Sequence, residues 1–134
     1  KKETLKKYSK KNKEDNKLTL DNYPRLEFSR NLFNTLNKEI LSLGEDVKLN
    51  LTKSYISYKI TGNFVYIKPQ FDSSLLVHLI KPFDTIEDPK KIGKDITKFN
   101  LNGNVTFSFR IYSLNDIDYA MSLIKQSYDY MLNK

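Results

Sequence analysis

The chain has no cysteine and no tryptophan, a single histidine, four glycines and four prolines. Without cysteine there is no disulfide framework, no thiolate zinc or iron–sulfur site and no cysteine nucleophile. With His78 as the lone histidine, any Ser-His-Asp relay has to run through it, and no G-x-S-x-G stands beside it. Four glycines leave little for a phosphate cradle, and neither G-x-x-x-x-G-K-[ST] nor G-x-G-x-x-G occurs. The longest apolar stretch, Leu75 to Ile80, is interrupted by His78 and is far shorter than the ~20 residues that cross a bilayer. No apolar segment follows the lysine-rich start, so it does not read as a secretory signal. These absences leave a cytoplasmic domain with no catalytic signature, no cofactor and no metal site as the expectation.

What is present is enough for one folded unit. A chain of 134 residues suits one domain of about 100 to 200 residues, and 39% apolar with 13% aromatic content supports a core without staples. The formal charge of +7 is unevenly placed. Residues 1–17 hold eight Lys against Glu3, Glu14 and Asp15, a net +5, whereas residues 18–134 hold 15 basic and 13 acidic groups, a net +2. A like-charge block of this kind reads as a solvated linker or disordered tail, taken here as residues 1–22, ahead of a domain over 23–134. The chain opens on Lys, which fits the C-terminal piece of a longer protein. With 20 Lys against 3 Arg, the high lysine content looks like coding bias as much as selection for phosphate contacts, where Arg is the better bidentate partner.

Periodicity then places the elements. Leu32, Phe33, Leu36, Ile40 and Leu43 recur at threes and fours and predict a helix over 26–43, with Pro24 near its start and Gly44 as its stop. From Val47 the period falls to two. Strands are predicted at Val47 to Leu51, around Ile56 to Ile60, over Phe64 to Lys68 ending at Pro69, over Leu75 to Ile80, and over Val105 to Ile111 after Gly103. The stretch from Lys81 to Asn102 reads as loop. Ser113 with Asp116 marks a capped start for a second helix, in which Ile117, Met121, Ile124, Tyr128 and Met131 form the stripe. A helix, five mainly antiparallel strands and a helix imply a two-layer α+β sandwich with both helices on one sheet face. That order resembles the frataxin-like topology shared with YjbR-type proteins, a likeness of order that implies little about function.

Several segments carry a resemblance. Thr-Lys-Ser-Tyr-Ile-Ser-Tyr-Lys (52–59), Asn-Phe-Val-Tyr-Ile (63–67), Asp-Pro-Lys-Lys-Ile-Gly (88–93) and Leu-Asn-Asp-Ile-Asp-Tyr-Ala-Met-Ser-Leu-Ile-Lys-Gln-Ser-Tyr (114–128) resemble an uncharacterised C-terminal domain family. Its members end chains labelled "predicted transport protein" and follow ParB-like nuclease domains in GmrSD-like restriction proteins. The resemblance covers roughly residues 30–132. It implies an accessory role near DNA and carries no catalytic residue with it.

Four constellations stand out. Asp84, Glu87, Asp88 and Asp95 could offer oxygen ligands to Mg²⁺ or Ca²⁺, but they lack the alternation of an EF-hand and are interleaved with lysines, so Asp88-Pro89 reads as a turn. Asp46-Val47-Lys48 matches the second half of a nuclease pattern, but the Asp that precedes it closely, Asp21, lies in the presumed linker, so the match reads as coincidence. His78 reads as a strand histidine at a sheet edge or on the open face. The polar side of the sheet is the fourth: Tyr55 and Lys59, with Tyr66 and Lys68 or Arg110 and Tyr112 beside them, combine rings that stack with cations that meet phosphate. Tyrosines and lysines of this kind are also ordinary strand formers covering a sheet. The expectation is a non-catalytic accessory domain that binds DNA or RNA, or an upstream domain of the same chain, through this face. A small-ligand or protein-interaction module is the alternative, and a hydrolytic enzyme is the least expected reading.

Overall fold

The computed structural model describes residues 18–134; the basic segment 1–17 lies outside the described residues. The elements are α1 (Arg30–Leu41), β1 (Lys48–Leu51), β2 (Ile56–Lys59), β3 (Asn63–Pro69), β4 (Leu75–Leu79), β5 (Lys94–Asp95), β6 (Phe107–Ile111) and α2 (Ile117–Leu132). The sheet runs β1-β2-β3-β4-β6-β5, with every neighbouring pair antiparallel. It is an α+β architecture of two helices on an open antiparallel sheet. The sixth strand, β5, corrects the expected five. Two residues carry no period-2 signal, and Lys94 and Asp95 become a strand only because they pair with Ser108 and Phe107 on the free edge of β6.

The first helix also starts differently from its periodicity. Residues Pro24–Ser29 form a 3-10 segment, and α1 begins only at Arg30. The buried positions explain the change, since Tyr23, Leu26, Ser29 and Leu32 recur every three residues, the repeat of a 3-10 turn. From there Leu32, Phe33, Leu36 and Ile40 form the buried α-helical stripe. Leu20, in a further 3-10 turn capped by Thr19, packs against the core upstream of the boundary expected at residue 23. At the other end Asp116 accepts from the Tyr112 and Ser113 amides at 2.7 and 3.1 Å, closing the capping box that the sequence predicts. The stripe of α2 is rotated from the expected one. Ala120, Leu123 and Ser127 are buried with Ile117, Ile124 and Tyr128, while Met121 and Met131 are half-buried.

Register sorts the sheet into two faces. Ile56, Ile67, Val77 and Phe109 form one row toward the helices, and Tyr58, Val65, Leu79 and Phe107 form the next. Tyr58 is fully buried and donates its hydroxyl to Asn37 of α1 at 2.7 Å. Pairing shifts by one between Tyr58 and Lys59, so Phe64 is the extra residue of a bulge. The bulge lets Phe64 join Val65 on the helix side, its ring 5.3 Å from that of Tyr128, and returns Asn63 to the polar side. The Phe64 carbonyl accepts at 2.7 Å from Ser127, whose hydroxyl also receives the Ile80 amide at 3.1 Å. A polar side chain buried in α2 thus satisfies the two backbone groups left over where β3 bulges and β4 ends.

The polar face carries two rows across the central strands, Lys68–Leu76–Arg110 and Ser57–Tyr66–His78–Ser108. It is not uniformly open. Gly103 has φ +91°, and a Cβ there would come within 2.5 Å of the Tyr66 hydroxyl oxygen, so the segment leading into β6 lies across the middle of the face. Glycine is needed both for that backbone conformation and for that approach.

Candidate functional site

The end of the polar face nearest the β3–β4 turn is half-buried, at the row Lys68–Leu76–Arg110. Tyr23 fixes one wall of it, because its hydroxyl donates to the carbonyls of Thr52 and of Tyr55, the latter at 2.8 Å. These bonds tie the 3-10 segment to the β1–β2 turn. Between that turn, the 3-10 segment and the start of the β3–β4 turn lies an open groove of about 520 Å³. Arg25, Lys53 and Lys68 line it together with Asn22, Ser54 and Gln70, and no carboxylate is among the lining residues. Its floor includes Pro69 and Leu76. Among the described residues neither Lys53 nor Lys68 forms an ion pair. Three cations converging without a counter-charge repel one another and hold a local positive potential that an anion relieves.

The six residues expected on the polar face divide into a cluster and two outliers. Tyr55 shares the row end with Lys68, and its ring meets Tyr66 edge to face at 4.8 Å. Tyr66 is only 7% exposed, so its ring serves as packing rather than as a platform for a base. Arg110 lies across Leu76 from Lys68, but its guanidinium is engaged: it lies 3.7 Å from Asp72 and donates to the Ser74 hydroxyl at 3.3 Å. Ser74 in turn donates from its hydroxyl and, at 3.0 Å, from its amide to Asp72, and these bonds with the Arg110 charge hold the Asp72 carboxyl below its ordinary value. Lys59 stands four residues along the strand from Tyr55, about 13 Å at a strand rise of ~3.3 Å per residue, opposite Lys48 and Asn63. Tyr112 is 63% exposed beyond the end of β6. The structure therefore brings Tyr55, Tyr66, Lys68 and Arg110 together and leaves Lys59 and Tyr112 at separate ends. Arg25, Lys53 and Gln70 complete the groove unannounced by any periodic pattern. One signal was available: Arg25 is one of only three arginines in the chain.

His78 sits between Tyr66 and Ser108 in its row. Burial, and then the charge of Lys68, push its pKa down to about 4, so the ring is neutral at neutral pH. Neither row neighbour is a carboxylate that could orient it as the base of a relay.

The acidic loop resolves into turn chemistry. Asp88 accepts from the Tyr119 hydroxyl, from Gly93 at 2.8 Å and from Ile92 at 3.3 Å. Burial raises its pKa, but these bonds outweigh that and hold the carboxyl below its ordinary value. The Tyr119 oxygen also accepts from the Lys90 amide at 2.9 Å, and the Lys90 ammonium lies 4.8 Å from the Tyr119 ring centre. Asp95 accepts from the Thr97 amide at 3.0 Å. Among the described residues no three His, Asp or Glu side chains gather as a metal site, and no helix is long and apolar enough to cross a membrane.

Comparison with known proteins places the chain. Residues 20–131 match the family described as a domain of unknown function, DUF5655. An uncharacterized protein from Haemophilus influenzae (strain ATCC 51907 / DSM 11121 / KW20 / Rd) is 30% identical over 103 residues, which covers 77% of this chain and 34% of that protein. The chain thus spans about a third of the length of this relative. No solved structure matches the present chain. The chain belongs to the DUF5655 family.

Proposed function

We propose that this DUF5655 domain is a non-catalytic binding module that takes the phosphate backbone of DNA or RNA in the groove beside Lys68, as an accessory part of a larger DNA-processing or restriction-type protein. The carrying observation is the convergence of Arg25, Lys53 and Lys68 with no carboxylate in the lining. Lysine and arginine that contact phosphates release the cations condensed on the nucleic acid, which makes binding favourable and strongly dependent on salt. The polar lining of Asn22, Ser54 and Gln70 adds donors of the kind that fix a backbone in position. The resemblance of segments 52–59, 63–67, 88–93 and 114–128 to domains beside restriction-type nucleases supports a partner near DNA.

The test is the double variant Lys53→Glu with Lys68→Glu, read by fluorescence anisotropy against labelled oligonucleotides over a salt series. Each lost phosphate contact lowers the slope of log affinity against log salt by about 0.7 to 0.9, so affinity falls and the slope flattens by roughly twice that, with melting unchanged. Affinity and slope equal to those of the parent chain would remove the groove from nucleic-acid binding.

A further inference from the structure

Resting on that reading, we infer that the strand held by the groove is single, and that its unpaired bases stack on Phe71 and Phe28. Phe71 is 69% exposed and Phe28 52%, large values for aromatic rings in a chain that buries Phe33, Phe64 and Phe107 completely or nearly so. The two rings come from distant segments, the β3–β4 turn and the 3-10 segment before α1, and their centres lie 6.5 Å apart at an angle of 54°. Arg25 joins this pair to the groove. Its guanidinium lies 3.7 Å over the centre of the Phe71 ring while the same residue lines the basic groove. One face of Phe71 therefore carries a stacked cation, and the ring's exposure leaves the other to a partner.

Phosphate-binding cations next to solvated aromatic rings are the two parts of a single-strand site, because a base in a duplex has its faces covered by its neighbours and cannot reach a ring. Tyr66 of the face expected from the sequence cannot play this part, since it is covered by the segment at Gly103. Stacking of this kind tolerates any base, so binding is independent of sequence.

The experiment measures affinity for an oligothymidylate of about 15 nucleotides, within the range of single-strand site sizes, and for a duplex of equal length and mixed sequence. Each probe is tested with the parent chain, Phe71→Ala, Phe71→Tyr and Phe28→Ala. The single strand binds more tightly than the duplex at equal salt. Phe71→Ala weakens it about tenfold, within the range for losing one stacked base, with an unchanged salt slope, and Phe71→Tyr retains binding. Equal affinity for the two probes, or a Phe71→Ala variant that binds the single strand as the parent does, overturns the inference. The charge-reversed groove variant separates the failures. If it loses binding while the phenylalanine variants do not, the groove reading stands and the single-strand reading falls. If no variant alters binding, or neither probe binds, both fall and the exposed rings belong to a protein contact.

Discussion

The turn from Asp88 to Gly93 and the groove beside Lys68 are both lysine-bearing surfaces, and they spend their polar groups in opposite ways. In the turn, Asp88 takes hydrogen bonds from Tyr119, Ile92 and Gly93, the Tyr119 oxygen takes the Lys90 amide, and Lys90 lies over the Tyr119 ring. Its one carboxylate among these contacts and the Tyr119 phenol are both engaged in holding the turn on α2. In the groove, Lys53 and Lys68 form no ion pair among the described residues, and the one fixed arginine contact, Arg25 on Phe71, is itself exposed. Charge density alone does not separate the two. What separates them is a carboxylate: Asp88 sits bonded among the lysines of the turn, and the groove lining has none.

That contrast can be broken in order of expected effect. Gly93→Ala should be the most damaging, because a Cβ there would lie 2.0 to 2.5 Å from atoms of the Phe107 ring, and overpacking of a filled core costs about 1–3 kcal/mol or more. Urea unfolding would read it, and a loss under about 0.5 kcal/mol, the usual scatter of surface changes, would show that the turn is not seated as described. Next, Tyr119→Phe removes the donor to Asp88 and the acceptor for Lys90, with an expected loss of about 1 kcal/mol in the same assay.

A smaller effect concerns His78, whose pKa is lowered from 6.5 to about 4 by burial and by Lys68. The unfolded chain binds the proton more tightly, so the stabilising contribution is complete above pH 6.5 and is lost as pH falls toward 4. His78→Gln should flatten the stability curve in that window, and Lys68→Met should move the His78 titration upward when followed by NMR. A His78 titration that does not respond to Lys68→Met would contradict their placement on neighbouring rows. Smallest of all, Lys53→Glu with Lys68→Glu should change stability by no more than about 0.5 kcal/mol, as expected for solvated side chains. A large loss in that variant would make the groove a structural element like the turn and erase the contrast.

Much of the scaffold is legible in the chain because burial is periodic. The alternation over 105–111, the threes and fours of α1 and the Ser113–Asp116 cap are local patterns with local causes. Departures from those readings share one reason, which is that contacts distant in sequence outweighed local preference. The 3-10 segment follows the spacing of Tyr23, Leu26 and Ser29 against the sheet. The α2 stripe turned toward Ala120 and Ser127 because Ser127 serves the Phe64 carbonyl and the Ile80 amide. The two-residue β5 exists only through β6. At the site, Tyr55, Tyr66, Lys68 and Arg110 were legible as one polar face from strand parity. That Tyr66 is covered and Arg110 paired with Asp72 was not, since both follow from loops with no period.

By itself the amino-acid sequence determined an α+β sandwich with two helices on one face of an antiparallel sheet, because the spacing of apolar residues decides which side of each element leaves water. Which cations share a groove was decided in the tertiary structure alone. Arg25, Lys53 and Lys68 stand 28 and 15 residues apart along the chain, and exposed cations leave no periodic trace, so nothing local links them. They share a groove because the Tyr23 hydroxyl bonds the 3-10 segment to the β1–β2 turn, and because the antiparallel register of β2 with β3 carries Lys68 to the same end of the sheet.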